Sequence, residues 1–204
     1  MPSYQIDGLT PVVDPSAYVH PTAVLIGDVI IGPGCYVGPC ASLRGDFGRI
    51  VLEAGSNVQD SCVLHSFPNH EMVVETNGHI GHGAVLHGCS VRRDALVGMN
   101  AVVMDRVVVG ENSIIGALCF VPEGMQIPER KIVVGNPAKI IKEMSDEMIA
   151  WKSKGTDLYR SLPDELRATL KPCEPLREVP VNRPDQQAIY STWMQTKKTD
   201  ESGK

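Results

Sequence analysis

Aliphatic residues recur every six positions from Val19 through Leu25, Ile31, Val37 and Leu43. The same step resumes at Leu52, Val58 and Leu64, then at Ile80 and Leu86. After one five-residue unit it continues without a break from Val91, through Val97, Val103, Val109, Ile115, Val121 and Ile127, to Val133. A period of six matches neither the 3.6-residue helix nor the two-residue strand alternation. It calls for short strands joined by tight corners and stacked into a solenoid, with three sides closing a triangular coil of eighteen residues. Four places after most of these positions stands a small side chain, among them Ala23, Cys35, Ala41, Cys62, Ala84, Ala95, Ala101, Ser113 and Cys119. Such an interior is narrow and regular, with an aliphatic ladder between the walls and backbone hydrogen bonds from coil to coil at about 4.8 Å.

Composition agrees with that interior. Of 204 residues 43% are hydrophobic but only 5% aromatic, so Val, Ile, Leu and Ala must fill the core. A net charge of -5 and no basic stripe argue against nucleic acid or an anionic membrane as a partner. No run of eighteen apolar residues occurs, which excludes a membrane-spanning helix by this criterion, and the start MPSYQIDGLT lacks the pattern of an export signal. A cytoplasmic location is therefore expected. The six cysteines form no C-x-x-C pair and read as reduced thiols, most of them small core residues.

The repeat defines a solenoid domain over 1–135. Gly135, Asn136 and Pro137 end it, and a helical segment is expected over 136–171. Ser145-Asp-Glu before MIAW is a helix start with acidic residues at its positive end, and a second helix is expected from Thr156 or Pro163 to Leu170. Residues 172–204, rich in proline and ending KKTDESGK, are expected to be an extended or disordered tail.

The repeat also places the histidines. His65 follows Leu64 and His87 follows Leu86; correcting for the four-residue excess between Leu64 and Ile80 puts them eighteen apart, one full coil. They stack, close enough to share one ion at the Zn–N distances of about 2.0–2.1 Å. His82 stands two places after Ile80, on the preceding side of the coil and facing away from that pair. The count thus calls for a third ligand from another chain around a threefold axis, in a homotrimer. Asp60 falls in the column of His82 with Met99 above it, while Arg44 lies below His65 and Met104 above His87. Gln59 and Asp60 are placed to orient a bound water or fix ligand tautomers, and Arg44 and Asp46 to pair across subunits. His20 reads as an exposed corner. His70 and His79 bracket an inserted loop, residues 66–79, and are expected to face solvent.

The six-residue motif resembles the hexapeptide-repeat proteins, and from that resemblance a left-handed parallel β-helix is expected, against the usual hand of parallel crossovers. More specifically, RGDFGRI, NVQDSCVLH, GHIGHGAVLHGC and VGMNAVVMD resemble the gamma-class carbonic anhydrase family, in its branch linked to phenylacetate degradation and carnitine metabolism. The resemblance spans about the first 170 residues. It implies His65, His82 and His87 as zinc ligands shared between subunits, Arg44 and Asp46 as the interface pair, and Gln59 and Asp60 near the metal-bound water. Vigorous carbonic anhydrases of this class carry proton-ferrying glutamates where this chain has Phe47 and Pro68, and an Asn-Tyr pair where Ala150-Trp151 is read here. Slow CO2 hydration is therefore expected.

Zinc held by three neutral histidines keeps a fourth position for water and brings its pKa to about 7, giving a hydroxide nucleophile at neutral pH. Fe2+ and Co2+ suit the same donors. Phe47, Met99 and Trp151 are expected to line an apolar substrate pocket, and with the resemblance they favour hydrolysis of an acyl-coenzyme A thioester carrying a ring-derived acyl group. Three alternatives stand beside this: CO2 hydration, acyl transfer, suggested by the acyltransferase-like segment VGNPAKII, and a non-catalytic accessory role in a pathway.

Overall fold

The computed structural model describes residues 1–185 and 190–196. Short parallel strands wind into a left-handed solenoid of about 7 turns. Its walls appear as a 12-stranded sheet, which includes two sides joined through long strands at the first coils, and an 8-stranded sheet forming the third side. Every inward position counted from the sequence is buried except Val19, which is half-buried on an early coil and still packs on the core. The nine small residues four places on are buried as well. Fully burying each Val, Leu or Ile contributes about 1.5–3 kcal/mol against chain entropy, and only stacking of successive coils achieves it.

Each coil donates its amides to the next, as in Val85 N to Ala101 O at 2.9 Å and His79 N to Ala95 O at 2.9 Å. The corners turn through left-handed backbone in vertical files. One file holds Cys40, Ser61, Gly83, Asn100 and Leu118, with φ between 53° and 70°. Four cysteines (Cys35, Cys62, Cys89 and Cys119) are buried free thiols in the interior, whereas Cys40 and Cys173 are exposed. Burial pushes the Cys62 thiol up to about 11 and Cys89 to about 12, as expected for inert core residues.

The insertion is smaller than the sequence suggested. Only the stretch from Ser66 to His70 leaves the coil. Glu71–Val74 is a wall strand paired with Ser42–Leu52 and Ser90–Val91, and it buries Met72 and Val74. Gly48 makes room for that short loop, since a Cβ there would collide with the carbonyls of Phe67 and His70.

After Lys131–Val134 the chain reverses, and Lys139–Glu143 pairs antiparallel with it, so the sheet extends past residue 135. One helix follows, Asp146–Thr169, where two were expected. Ser145 caps it, its Oγ accepting from Met148 N at 3.3 Å. Pro163 lies inside the helix with its ring buried, and packing on the solenoid carries the helix past the carbonyl that proline leaves unbonded. Along the packed face Lys152 is buried and donates from Nζ to the Asp94 carbonyl, while Arg167 reaches the carbonyls of Ser16 and Ala17. Residues 171–185 are exposed and carry no helix or strand. The segment 190–196 returns to the helix, with Trp151 Nε1 donating to Ser191 O at 2.9 Å and the Trp151 ring between Tyr190 and Trp193. The rest of the expected tail, residues 186–189 and 197–204, lies outside the described residues. Among the described residues no helix is long and apolar enough to cross a membrane.

Candidate metal centre

Register pairs His87 with His65 and His65 with Arg44 on adjacent coils, as the column count required. The two rings face each other, with His65 Nδ1 and His87 Nε2 3.0 Å apart. Their outer nitrogens are both taken by carboxylates: His65 Nε2 lies 2.9 Å from Asp46 Oδ1, and His87 Nδ1 lies 2.5 Å from Asp105 Oδ1. An imidazole that donates its N–H outward presents a bare lone pair inward. Two such lone pairs at this separation repel unless a proton or metal ion lies between them. Tetrahedral zinc would hold the two nitrogens about 3.3 Å apart, so the pair fits the ion with a shift of a few tenths of an ångström.

Arg44 Nη1 donates to Asp46 Oδ2 at 2.5 Å, within the same chain. Burial opposes ionisation of Asp46, but hydrogen bonds from Arg44 and His65 outweigh it and hold the carboxyl below its usual range. Burial likewise pushes His65 down, against the pull of Asp46, which keeps the ring neutral and able to bind a metal.

His82 stands apart from that pair. Its Nδ1 lies 3.2 Å from Asp60 Oδ2, and its Nε2 lies 3.3 Å from the Tyr159 hydroxyl. Among the described residues of this one chain, no three His, Cys, Asp or Glu side chains converge on a common point. The chain thus carries a histidine pair on one wall and a separate histidine at another place on the coil.

Gln59 is buried, and its amide is committed within the chain. Nε2 donates to Asn57 Oδ1 at 3.1 Å and lies 2.7 Å from His79 Nε2, while Oε1 accepts from His82 N at 3.2 Å. In this chain Gln59 therefore braces the segment that carries His82. His79 was expected in solvent; it is instead 8% exposed, roofed by the helix at Thr156 and edge-on to Tyr159. Burial first, then the charges of Lys152 and His82, push its pKa down to about 3.

The expected pocket residues do not gather in one place. Phe47 lies against His65 with ring centroids 5.5 Å apart, and Met99 is exposed on the file above His82. Trp151 is engaged by the returning C-terminal segment. From the helix it is Tyr159, not Trp151, that reaches a histidine. Sequence reading also missed Phe67, which stands edge-on to His87 at 4.9 Å, and Asp105. The column count pointed to Met104 above His87, and Asp105 stands one place further along, at the corner.

The stacked coils and their carboxylate-braced histidine pair define a hexapeptide-repeat β-helix protein. The family signature described as bacterial transferase hexapeptide (six repeats) matches residues 10–45 and 88–123. The carnitine operon protein CaiE of Salmonella agona is 52% identical over 184 residues, covering 90% of this chain and 93% of that protein. The chain belongs to this CaiE family, a gamma-class carbonic anhydrase-like group of hexapeptide-repeat proteins. Among solved structures, a hexapeptide transferase family protein from Anaplasma phagocytophilum superposes with TM-score 0.77 at 32% identity, covering 80% of this chain and 97% of that one. A Bacillus cereus protein with a provisional acetyltransferase name gives TM-score 0.80 at 29% identity, covering 81% and 96%.

Proposed function

We propose that the protein is a zinc-dependent hydrolase of acyl-coenzyme A thioesters, working as a homotrimer in which His65 and His87 of one subunit and His82 of a neighbour hold the ion. The observation that carries this reading is the facing nitrogen pair, 3.0 Å apart, with both outer nitrogens given to carboxylates. Zinc bound there supplies a Lewis acid and, at neutral pH, a hydroxide nucleophile. Fe2+ or Co2+ fits the same donors. The chain itself contributes the orientation of the imidazoles through Asp46 and Asp105, and the bracing of the His82 segment by Gln59. Phe47 and Phe67 flank the pair with exposed phenyl surface suited to an apolar acyl group. The phenyl-lined flank favours ring-derived acyl groups, such as those of phenylacetate catabolism, while the name of the CaiE relatives favours a carnitine-linked acyl group. CO2 hydration is expected to be weak, because Phe47 and Pro68 offer no proton carrier.

Acyl transfer is the second reading. It is favoured by the His82–Asp60 pair, which has the form of a general base oriented by a carboxylate, and by the transferase names of the solved neighbours. Hydrolysis of an acyl-coenzyme A panel, with and without amine acceptors, separates the two when wild type is compared with His65→Ala and His82→Ala in the same oligomeric state. Under zinc hydrolysis both variants lose metal, and activity falls by about two orders of magnitude or more. Under transfer His65→Ala stays active with an acceptor. Undiminished hydrolysis in His65→Ala, or wild type without stoichiometric metal, defeats the first reading.

A further inference from the structure

Asp105 lies one place beyond the column of His87, at the corner formed by Met104, Asp105 and Arg106, and its carboxylate turns back under the imidazole of the preceding coil. The residue is 4% exposed, and its Oδ1 is 2.5 Å from His87 Nδ1. The space it uses exists because residue 88 is glycine: a Cβ on Gly88 would collide with Asp105 Oδ1. The backbone on either side is fixed by Arg106 N to Gly88 O and Gly124 N to Asp105 O, each 2.8 Å. Neighbouring Arg106 turns to Glu123, which leaves the carboxylate to His87. A buried carboxylate is costly to keep, and this one faces an imidazole whose other nitrogen points at His65.

We propose that Asp105 is a positioning residue: by accepting the Nδ1–H of His87 it holds that ring in a single tautomer and aims Nε2 at the ion shared with His65. This rests on the metal-binding reading of the histidine pair. A ligand imidazole held by a carboxylate is more basic and already oriented, and loss of such a brace typically weakens metal binding about 10–100-fold. A purely structural corner fastener would instead change stability and leave tautomer and affinity alone.

Two measurements on the full-length protein test the proposal. Nitrogen-15 spectra of histidine-labelled apoprotein report the tautomer of His87, and competition with a chelator reports zinc affinity. Wild type should show protonated Nδ1. Asp105→Leu should shift His87 towards protonated Nε2 and bind zinc about 10–100-fold more weakly, with oligomeric state and far-ultraviolet circular dichroism retained. Asp105→Asn keeps an acceptor but not the charge, so it should retain the tautomer and lose less affinity. An unchanged tautomer in Asp105→Leu, or zinc affinity within about twofold of wild type, overturns the proposal. If Asp105→Leu does not fold, Asp105→Asn with wild-type zinc affinity overturns it in the same way. Failure of wild type to take up zinc would defeat the metal reading, and the tautomer comparison would still decide whether Asp105 orients His87.

Discussion

At His79 a titratable ring is enclosed by Gln59, Thr156 and Tyr159, and the fold holds it neutral. An unfolded histidine titrates near 6.5, while burial lowers the folded value to about 3. Below about 6.5 the unfolded chain therefore binds the extra proton, and stability falls with pH until the folded ring also titrates. His79→Gln should remove this contribution. Denaturant titrations of both proteins should show the wild type losing about 3 kcal/mol more than the variant between pH 7 and pH 4. The burial was illegible in the sequence because nothing local to GHIGHG encloses the ring. The roof comes from Thr156 and Tyr159, some eighty residues on. Stacking of His65 on His87 was legible for the opposite reason: the solenoid converts sequence distance directly into height, so counting was enough. Asp105 escaped the count because it reaches backward from a corner rather than standing in the column.

Strands and helix differ in how much of them could be read. Each strand is two to four residues long over most of the solenoid, too short for propensity to define, yet the inward residues were identified because the period integrates over many coils. The helix start was legible from Ser145 and its acidic neighbours. Its continuity through Pro163 was not, because the energy that sustains it comes from packing against another element. Corners carry their own signature. Leu118 is 74% exposed with φ 60°, in a file whose other members include Gly83 and Asn100, residues that take the left-handed region more easily. Leu118→Asn should leave the fold unchanged and raise stability by up to about 1 kcal/mol, measured as a shift in denaturation midpoint without a change in slope. A loss of stability would show that the leucine side chain is held by contacts beyond its own chain.

Over the whole molecule, the His65–His87 pair and His82 have separate partners within the chain, and under the proposed function that separation makes complementation a direct test of sharing. His65→Ala and His82→Ala homotrimers should each lack zinc. Trimers formed by refolding the two together should regain metal at the interfaces that receive His65 and His87 from one chain and His82 from the next. Mixed trimers, verified by mass, that recover no metal would refute a shared centre. The count from sequence reached this point, since it separated His82 from the pair, but convergence across subunits is a property of assembly that no single chain displays.

The reversed strand Lys139–Glu143 has a consequence for the open end of the solenoid. A parallel coil is a template for another like itself, and a stack of identical rungs has no intrinsic stopping point. By turning back on Lys131–Val134, the chain presents an exposed edge of opposite direction, in which Lys139, Lys142 and Glu143 flank Ile140 and Ile141. On that wall an identical parallel rung meets a strand of opposite direction that carries charged side chains, the kind of edge that disfavours continued stacking of like on like.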